Sequence, residues 1–241
     1  MVDKYKLARK NRVDKKIAVE AKKKTDTEKQ DNIREMVVKK QLLARYSMAD
    51  WAPQTVLGKK VKSGEIKSLD EILAKGLKIL EPQIIDFFLE LTEKVVDIKK
   101  TSYVRMSGRR YSFRATVLIG DRREYLGLGT EKDTDKLTAI AKAAKKARLN
   151  VIKVNHGCGA WECNCGTPHS LPYKVNGKCG GVKVELKPAP KGTGLVVAKA
   201  IKEVFNLCNI NDVWGRGFGS TGTTLNFVKA TMDALSKTNR W

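Results

Sequence analysis

The sequence predicts an α+β protein built from two successive units, α-β-β-β-α and then β-β-α-β-α, behind a basic helical arm. Three observations carry that reading. Tyr111, Phe113, Ala115, Val117 and Ile119 recur at every second position, the period of a strand. Leu137, Ile140, Ala144 and Leu149 recur at helical spacing directly afterwards. Beyond residue 170, short apolar runs alternate with proline and glycine punctuation, as in Pro188, Pro190 and Gly192.

Taken in order, residues 1–50 are rich in lysine and carry few large apolar side chains before VVKKQLLARY. Such a segment cannot bury enough apolar surface to fold alone, so it reads as an arm that orders against a phosphate backbone, or as a solvated helical tail. Trp51 and Pro53 open an irregular and helical extension over 51–92. Ser68 is a hydroxyl cap for a helix with Glu71 at its third position, and EPQIIDFFLELTE continues as an apolar helix-like run.

Residues 93–157 hold the first unit. Val95, Val96 and Ile98 begin a strand, KKTSYVRMSGRRY is a basic turn segment around Gly108, and Tyr125–Gly129 is a third strand. The Ala- and Lys-rich stretch DTDKLTAIAKAAKKARLNVIKV is a helix. Residues 158–241 hold the second unit: strands Leu171–Val175 and Val182–Leu186, a glycine turn opening a helix in KGTGLVVAKAIKEVFNLCNI, a short strand DVWGRGFGS and a last helix TTLNFVKATMDALSKT.

The charge is the strongest global property. Forty-eight Lys and Arg face 26 Asp and Glu, a net +22 over 241 residues. Solubility needs a net charge of only about 2–8 in a small domain, so this excess calls for a polyanion, and nucleic acid fits it best. No run of about 18 apolar residues is available to span a membrane, and the basic N-terminus has no apolar stretch behind it to make a secretory signal. Five cysteines, three within eight residues, read as thiols of a reducing compartment, the cytoplasm.

Those three are the main chemical signal. Cys158, Cys163, Cys165 and His169 place four soft or borderline ligands in 12 residues. They are either free thiols in a turn or the ligands of one metal ion, with Cys179 a possible substitute. Three thiolates and an imidazole fill the four positions of a tetrahedral Zn²⁺ and leave none open for water, which favours a structural site over a catalytic one. Other catalytic signatures are missing: there is no nucleophile elbow, no HExxH, and no deaminase pattern around Glu162. A free zinc-dependent RNA-modifying enzyme is therefore the weaker alternative. Lys191, Gly192, Thr193 and Gly194, and again Gly219 and Ser220, form glycine loops ahead of helices. They offer amides to a phosphate or a protein partner, or simply lead into the helix; neither matches a Walker loop. Arg105, Arg109, Arg110 and Arg114 alternate with Tyr103, Tyr111 and Phe113, so that the apolar side chains pack while the guanidinium groups face RNA phosphates.

Seven blocks in order complete the reading: WAPQTVLG, IKSLDEI, IIDFF, SGRRYSFRATVLIGD, GLG, PHSLPYKVNGKCGGVKVELKPAPKGTGLV and GSTGTTLNFVKATMDAL. From about Trp51 to Ser236 they resemble the universal small-subunit ribosomal protein family called S-five in bacteria, in its archaeal and eukaryotic form, with a cysteine cluster of archaeal type. The resemblance implies a double-stranded-RNA-binding-like domain followed by a left-handed β-α-β type domain. It implies a non-enzymatic structural constituent of the small ribosomal subunit, without a small-molecule substrate. Its partners would be small-subunit rRNA, neighbouring ribosomal proteins and mRNA near the channel where it enters and is decoded, with a contribution to accuracy. One departure stands out. The family turns between its second and third strands on Asn-Gly, whereas this chain has Asp121-Arg122-Arg123-Glu124, which is not expected to reach positive φ cheaply. Arg122 and Arg123 would then supply the RNA contact of that loop.

Overall fold

The computed structural model describes residues 51–66 and 68–239. The expected arm over 1–50 lies outside them. From Pro53 onward the chain forms one compact unit. Helices α1 (Val56–Lys62), α2 (Leu69–Ala74) and α3 (Pro82–Phe88) lead into the first sheet. Thr55 caps α1 by accepting from the Gly58 amide at 3.0 Å, and a proline opens α3, where its missing N–H costs nothing. Ser68 precedes α2 as expected, but its hydroxyl bonds the Glu71 carboxylate at 3.0 Å and does not cap the backbone.

The first sheet is an antiparallel meander, β1 (Thr92–Arg105), β2 (Gly108–Gly120), β3 (Tyr125–Asp133) and β4 (Val151–Lys153), with α4 (Lys136–Leu149) between β3 and β4. The basic segment expected as a turn is strand for most of its length: Lys99 to Arg105 pair with Arg114 to Gly108, leaving only Met106 and Ser107 at the bend. The helix stops at Asn150, and Val151–Lys153 pairs with β3 where the sequence suggested more helix. The buried stripe of α4 matches the expected one only at Ala144. Ala139, Ala143, Ala144 and Ala147 are buried while Leu137 is 81% exposed. The reason lies underneath: a Cβ on Gly129 would sit 2.0 Å from the Ala143 carbonyl, and one on Gly127 2.5 Å from that of Ala147. Helix and strand touch backbone to backbone, so only small side chains fit between them.

The second sheet has strand order β5-β6-β8-β7, from β5 (Val175–Cys179), β6 (Val182–Pro188), β7 (Leu195–Val196) and β8 (Val213–Gly219). Helix α5 (Lys199–Leu207) carries the crossover between the parallel pair β7 and β8, and α6 (Thr224–Ser236) closes the unit. The strand expected at Leu171–Val175 begins only at Val175. Helix α5 starts at Lys199, four residues beyond Leu195, where the KGTG turn would have opened it, because β7 intervenes. One apolar core joins the sheets: Leu118 and Leu126 of the first cluster with Val184, Leu186, Ile201, Val204, Phe205 and Leu235 of the second half. Among the described residues no helix is long and apolar enough to cross a membrane.

Candidate nucleic-acid interface and metal centre

β1 and β2 outrun their neighbour. Pairing between β2 and β3 begins only at Phe113↔Asp133, so Ser102–Tyr111 stands out as a two-stranded ribbon. Cross-strand partners share a face of a sheet, and the register therefore places Arg105, Arg110 and Arg114 with Tyr103, and Arg109 with Tyr111 and Phe113. The expected division into an apolar packing face and a cationic outer face does not occur. Both faces are mixed, with Tyr103 and Tyr111 about half exposed and Met106 fully so at the tip. The rings hold cations instead of packing: the Arg105 guanidinium lies 5.3 Å from the Tyr103 centroid and the Lys100 ammonium 3.8 Å from that of Tyr111. Among the described residues, Arg105, Arg109, Arg110 and Arg114 make no ion pair with a carboxylate.

Arg122 and Arg123 are exposed at the β2–β3 turn. Contrary to expectation, Arg122 does adopt positive φ, at 58°. That conformation costs a non-glycine residue roughly 1–2 kcal/mol. Asp121 offsets the cost by accepting from the Arg123 and Tyr125 amides at 2.8 and 3.0 Å, and the Arg122 amide donates to the Leu207 carbonyl at 3.0 Å.

The cysteine stretch folds back on itself between β4 and β5. Gly157 and Ser170 exchange backbone hydrogen bonds of 3.0 and 2.9 Å, and the Gly159 amide reaches the Leu171 carbonyl. Gly159 is obligatory there, since a Cβ would lie 2.1 Å from the Pro172 carbonyl oxygen. This closure brings one ligand atom each of Cys158, Cys163, Cys165 and His169 to within 4.8 Å of one another. Cys165 Sγ and Cys158 Sγ are 3.5 Å apart, as are Cys163 Sγ and His169 Nε2. Hydrogen bonding from Thr167, aided by the neighbouring thiols, lowers the Cys165 thiol to about 6, while desolvation raises Cys158 to about 11. Cys179, at the end of β5, stays outside. So does His156, whose Nε2 is buried without a partner among the described residues and whose imidazole burial shifts below its ordinary value.

The residue that organises the cluster was not legible beforehand. Asp212, 4% exposed, accepts from His169 Nδ1 at 2.7 Å, which turns Nε2 toward the thiols in the carboxylate–histidine arrangement common behind metal sites. Its other oxygen accepts from the Gly192 and Gly194 amides at 3.1 and 2.8 Å. In the loop of Lys191, Gly192, Thr193 and Gly194, the two glycine amides therefore go to an internal carboxylate and the Thr193 amide to the Pro190 carbonyl, against the expectation that the loop offers its amides to a phosphate or a protein partner. At the second loop, the Thr221 and Thr223 amides bond the Gly219 and Ser220 carbonyls, and the Thr224 hydroxyl at the start of α6 bonds the Asp97 carboxylate of β1. No local signal marks Asp97 or Asp212 in the sequence, because each meets its loop from a distant segment.

The family assignment rests on two matches. Residues 91–155 match the model of ribosomal protein S5, N-terminal domain, and residues 177–241 that of ribosomal protein S5, C-terminal domain. The chain belongs to the ribosomal protein S5 family. It is 49% identical over 196 residues to the small ribosomal subunit protein uS5 of Methanocaldococcus jannaschii, covering 81% of this chain and 90% of that one. The uS5 proteins of Methanoregula boonei and Methanocorpusculum labreanum are 49% and 50% identical over 195 residues, each covering 80% of this chain and 95% of theirs. The Cys₃His cluster falls between the two matched domains.

Proposed function

We propose that this protein is a non-catalytic structural constituent of the small ribosomal subunit in the cytoplasm, bound to small-subunit rRNA and to neighbouring ribosomal proteins. The observation that carries the reading is the projecting ribbon, whose arginines pair with no carboxylate among the described residues, in a chain of net charge +22 whose relatives are named as small-subunit proteins. The α-β-β-β-α unit acts as a double-stranded-RNA-binding-like domain, and Arg105, Arg109, Arg110, Arg114, Arg122 and Arg123 hold phosphates. The second unit, of left-handed β-α-β type, lies toward the mRNA channel, and the outer edge of the Pro190–Gly194 loop abuts a neighbouring ribosomal protein, where it contributes to accuracy.

Cys158, Cys163, Cys165 and His169 hold one Zn²⁺. The donor set suits zinc, and Asp212 already orients the imidazole toward the thiols. Bound there, the ion supplies a cross-link and no reactive position, since four protein ligands complete its shell. Sucrose-gradient fractionation tests the assignment. The protein should sediment with small subunits and remain there through moderate salt; recovery only at the top of the gradient overturns it.

A further inference from the structure

The central strand of the second sheet is built inside out. A strand with one covered face normally turns its large apolar residues inward and its small or polar ones outward. β8 reads VWGRGFG, and it does the reverse. Gly215 and Gly217 face the covering layer, where a Cβ would lie 2.7 Å from Val197 and 2.9 Å from the Phe227 ring. Trp214, Arg216 and Phe218 face the open side.

The register extends this into a surface. Lys187 stands opposite Trp214, Glu185 opposite Arg216 and Lys183 opposite Phe218 on β6. Lys178 of β5 follows next to Lys183, and Val196 of β7 flanks Trp214. Trp214 and Phe218 remain 39% and 44% exposed, large areas for such rings. The Arg216 guanidinium lies 5.8 Å from the Phe218 centroid. The one acid of the face among the described residues, Glu185, is engaged by Lys174, which holds its carboxyl below the usual range. The face therefore combines two aromatic rings about 13 Å apart along one strand with four cations and one compensated acid.

We infer that this open face binds single-stranded RNA, with bases stacking on Trp214 and Phe218 and phosphates held by Lys183, Lys187 and Arg216. Sheet aromatics that stack successive bases are a recurrent way to take unpaired RNA, and stacking tolerates any base because each has a π-face. A protein partner fits less well, since lysine is depleted in protein interfaces and supplies three of the four cations here. The inference rests on the RNA-binding reading above, which concerns the ribbon of the first sheet, and adds a second, chemically different RNA site.

The test uses the full chain with Trp51→Phe, Trp161→Phe and Trp241→Phe, so that Trp214 is the sole tryptophan. An oligouridylate and an RNA duplex of equal length are titrated against its fluorescence. Saturable quenching by the oligouridylate but not by the duplex is expected. Phe218→Ala should weaken single-strand binding roughly 5- to 150-fold, the loss of one stacked base, while Phe218→Tyr restores it. An unchanged melting temperature in Phe218→Ala confirms that the sheet is intact. Oligouridylate binding without quenching, or an affinity indifferent to Phe218→Ala, overturns this site and leaves the ribbon reading standing. Equal quenching by duplex and single strand also overturns it, because charge alone would then account for binding. If neither RNA binds even at low salt, the RNA-binding reading itself fails.

Discussion

The ribbon of β1 and β2 and the two glycine loops of the second half make opposite use of polar groups. On the ribbon, Arg105, Arg109, Arg110 and Arg114 find no carboxylate among the described residues, and the nearby rings serve only as platforms for cations. At the loops, two amides and one hydroxyl that would suit an external anion meet an internal one. Asp212 takes the Gly192 and Gly194 amides, and Asp97 takes the Thr224 hydroxyl. A motif rich in donors therefore says nothing about its partner until the acids that fold onto it are known. Among the described residues no carboxylate competes for the ribbon arginines, whereas Asp212 and Asp97, from other segments, hold groups of the loops.

The largest expected effect breaks the internally bonded side. Cys163→Ser with Cys165→Ser should abolish stoichiometric metal uptake and lower stability by about 4 kcal/mol at a thousandfold metal excess over Kd, measured as the difference between melts with and without a chelator. A chelator-insensitive wild-type melt would contradict the cross-link. Next, Asp212→Asn removes the charge and turns one of the two acceptor oxygens into a donor, so that His169 Nδ1–H and the two loop amides can no longer all be accepted. Breaking a buried charged contact of this kind costs about 3 kcal/mol, and hydrogen exchange at Gly192 and Gly194 should accelerate while β1–β3 amides keep their protection. Equal acceleration everywhere would mean global unfolding and no specific coupling between cluster and loop.

The ribbon should behave in the opposite manner. Arg109→Ala and Arg110→Ala should change stability by less than about 0.5 kcal/mol, yet each should reduce the slope of log binding constant against log salt for rRNA by about 0.7–0.9. The smallest effect sharpens the contrast with an ordinary surface contact. Asp70 accepts from Lys153 at 2.9 Å and from the Tyr125 hydroxyl at 2.7 Å, and the Lys153 bond holds its carboxyl below the usual range. A lowered acid contributes stability above its unfolded value and loses it as pH falls through the folded one. Asp70→Asn should therefore cost under about 1 kcal/mol near neutrality, with the difference in melting temperature vanishing in acid. A difference that grows on acidification would reverse the sign of this coupling.

What could be read from the chain follows the range of the signal. The alternation from Tyr111 to Ile119 and the spacing of Cys158, Cys163, Cys165 and His169 are local patterns, and the strand and the ligand cluster both emerge from them. β7 is two residues long and held only by its parallel neighbour β8, so no periodicity could announce it. The alanine stripe of α4 depends on glycines in another element, and a helix-only reading favours Leu137 over Ala143. The positive φ of Arg122 depends on Asp121 and on a carbonyl from Leu207, a contact between distant segments. Asp212 is the largest gap: a lone acid 43 residues beyond His169, whose role exists only once the second unit has folded and brought those segments together.

That packing has a consequence for how the protein is made. Leu118 and Leu126 belong to the first sheet but are buried in a core completed by Phe205, Val228 and Leu235. A ribosome releases the chain from its N-terminus, so β1–β4 emerge while their covering partners are still untranslated. At about 5–20 residues per second, the last roughly 80 residues take on the order of 4–16 s to follow. Throughout that interval the first sheet presents an uncovered apolar face to the cell. The two halves are successive in the gene, but they reach their native state as one event, when the last helix arrives.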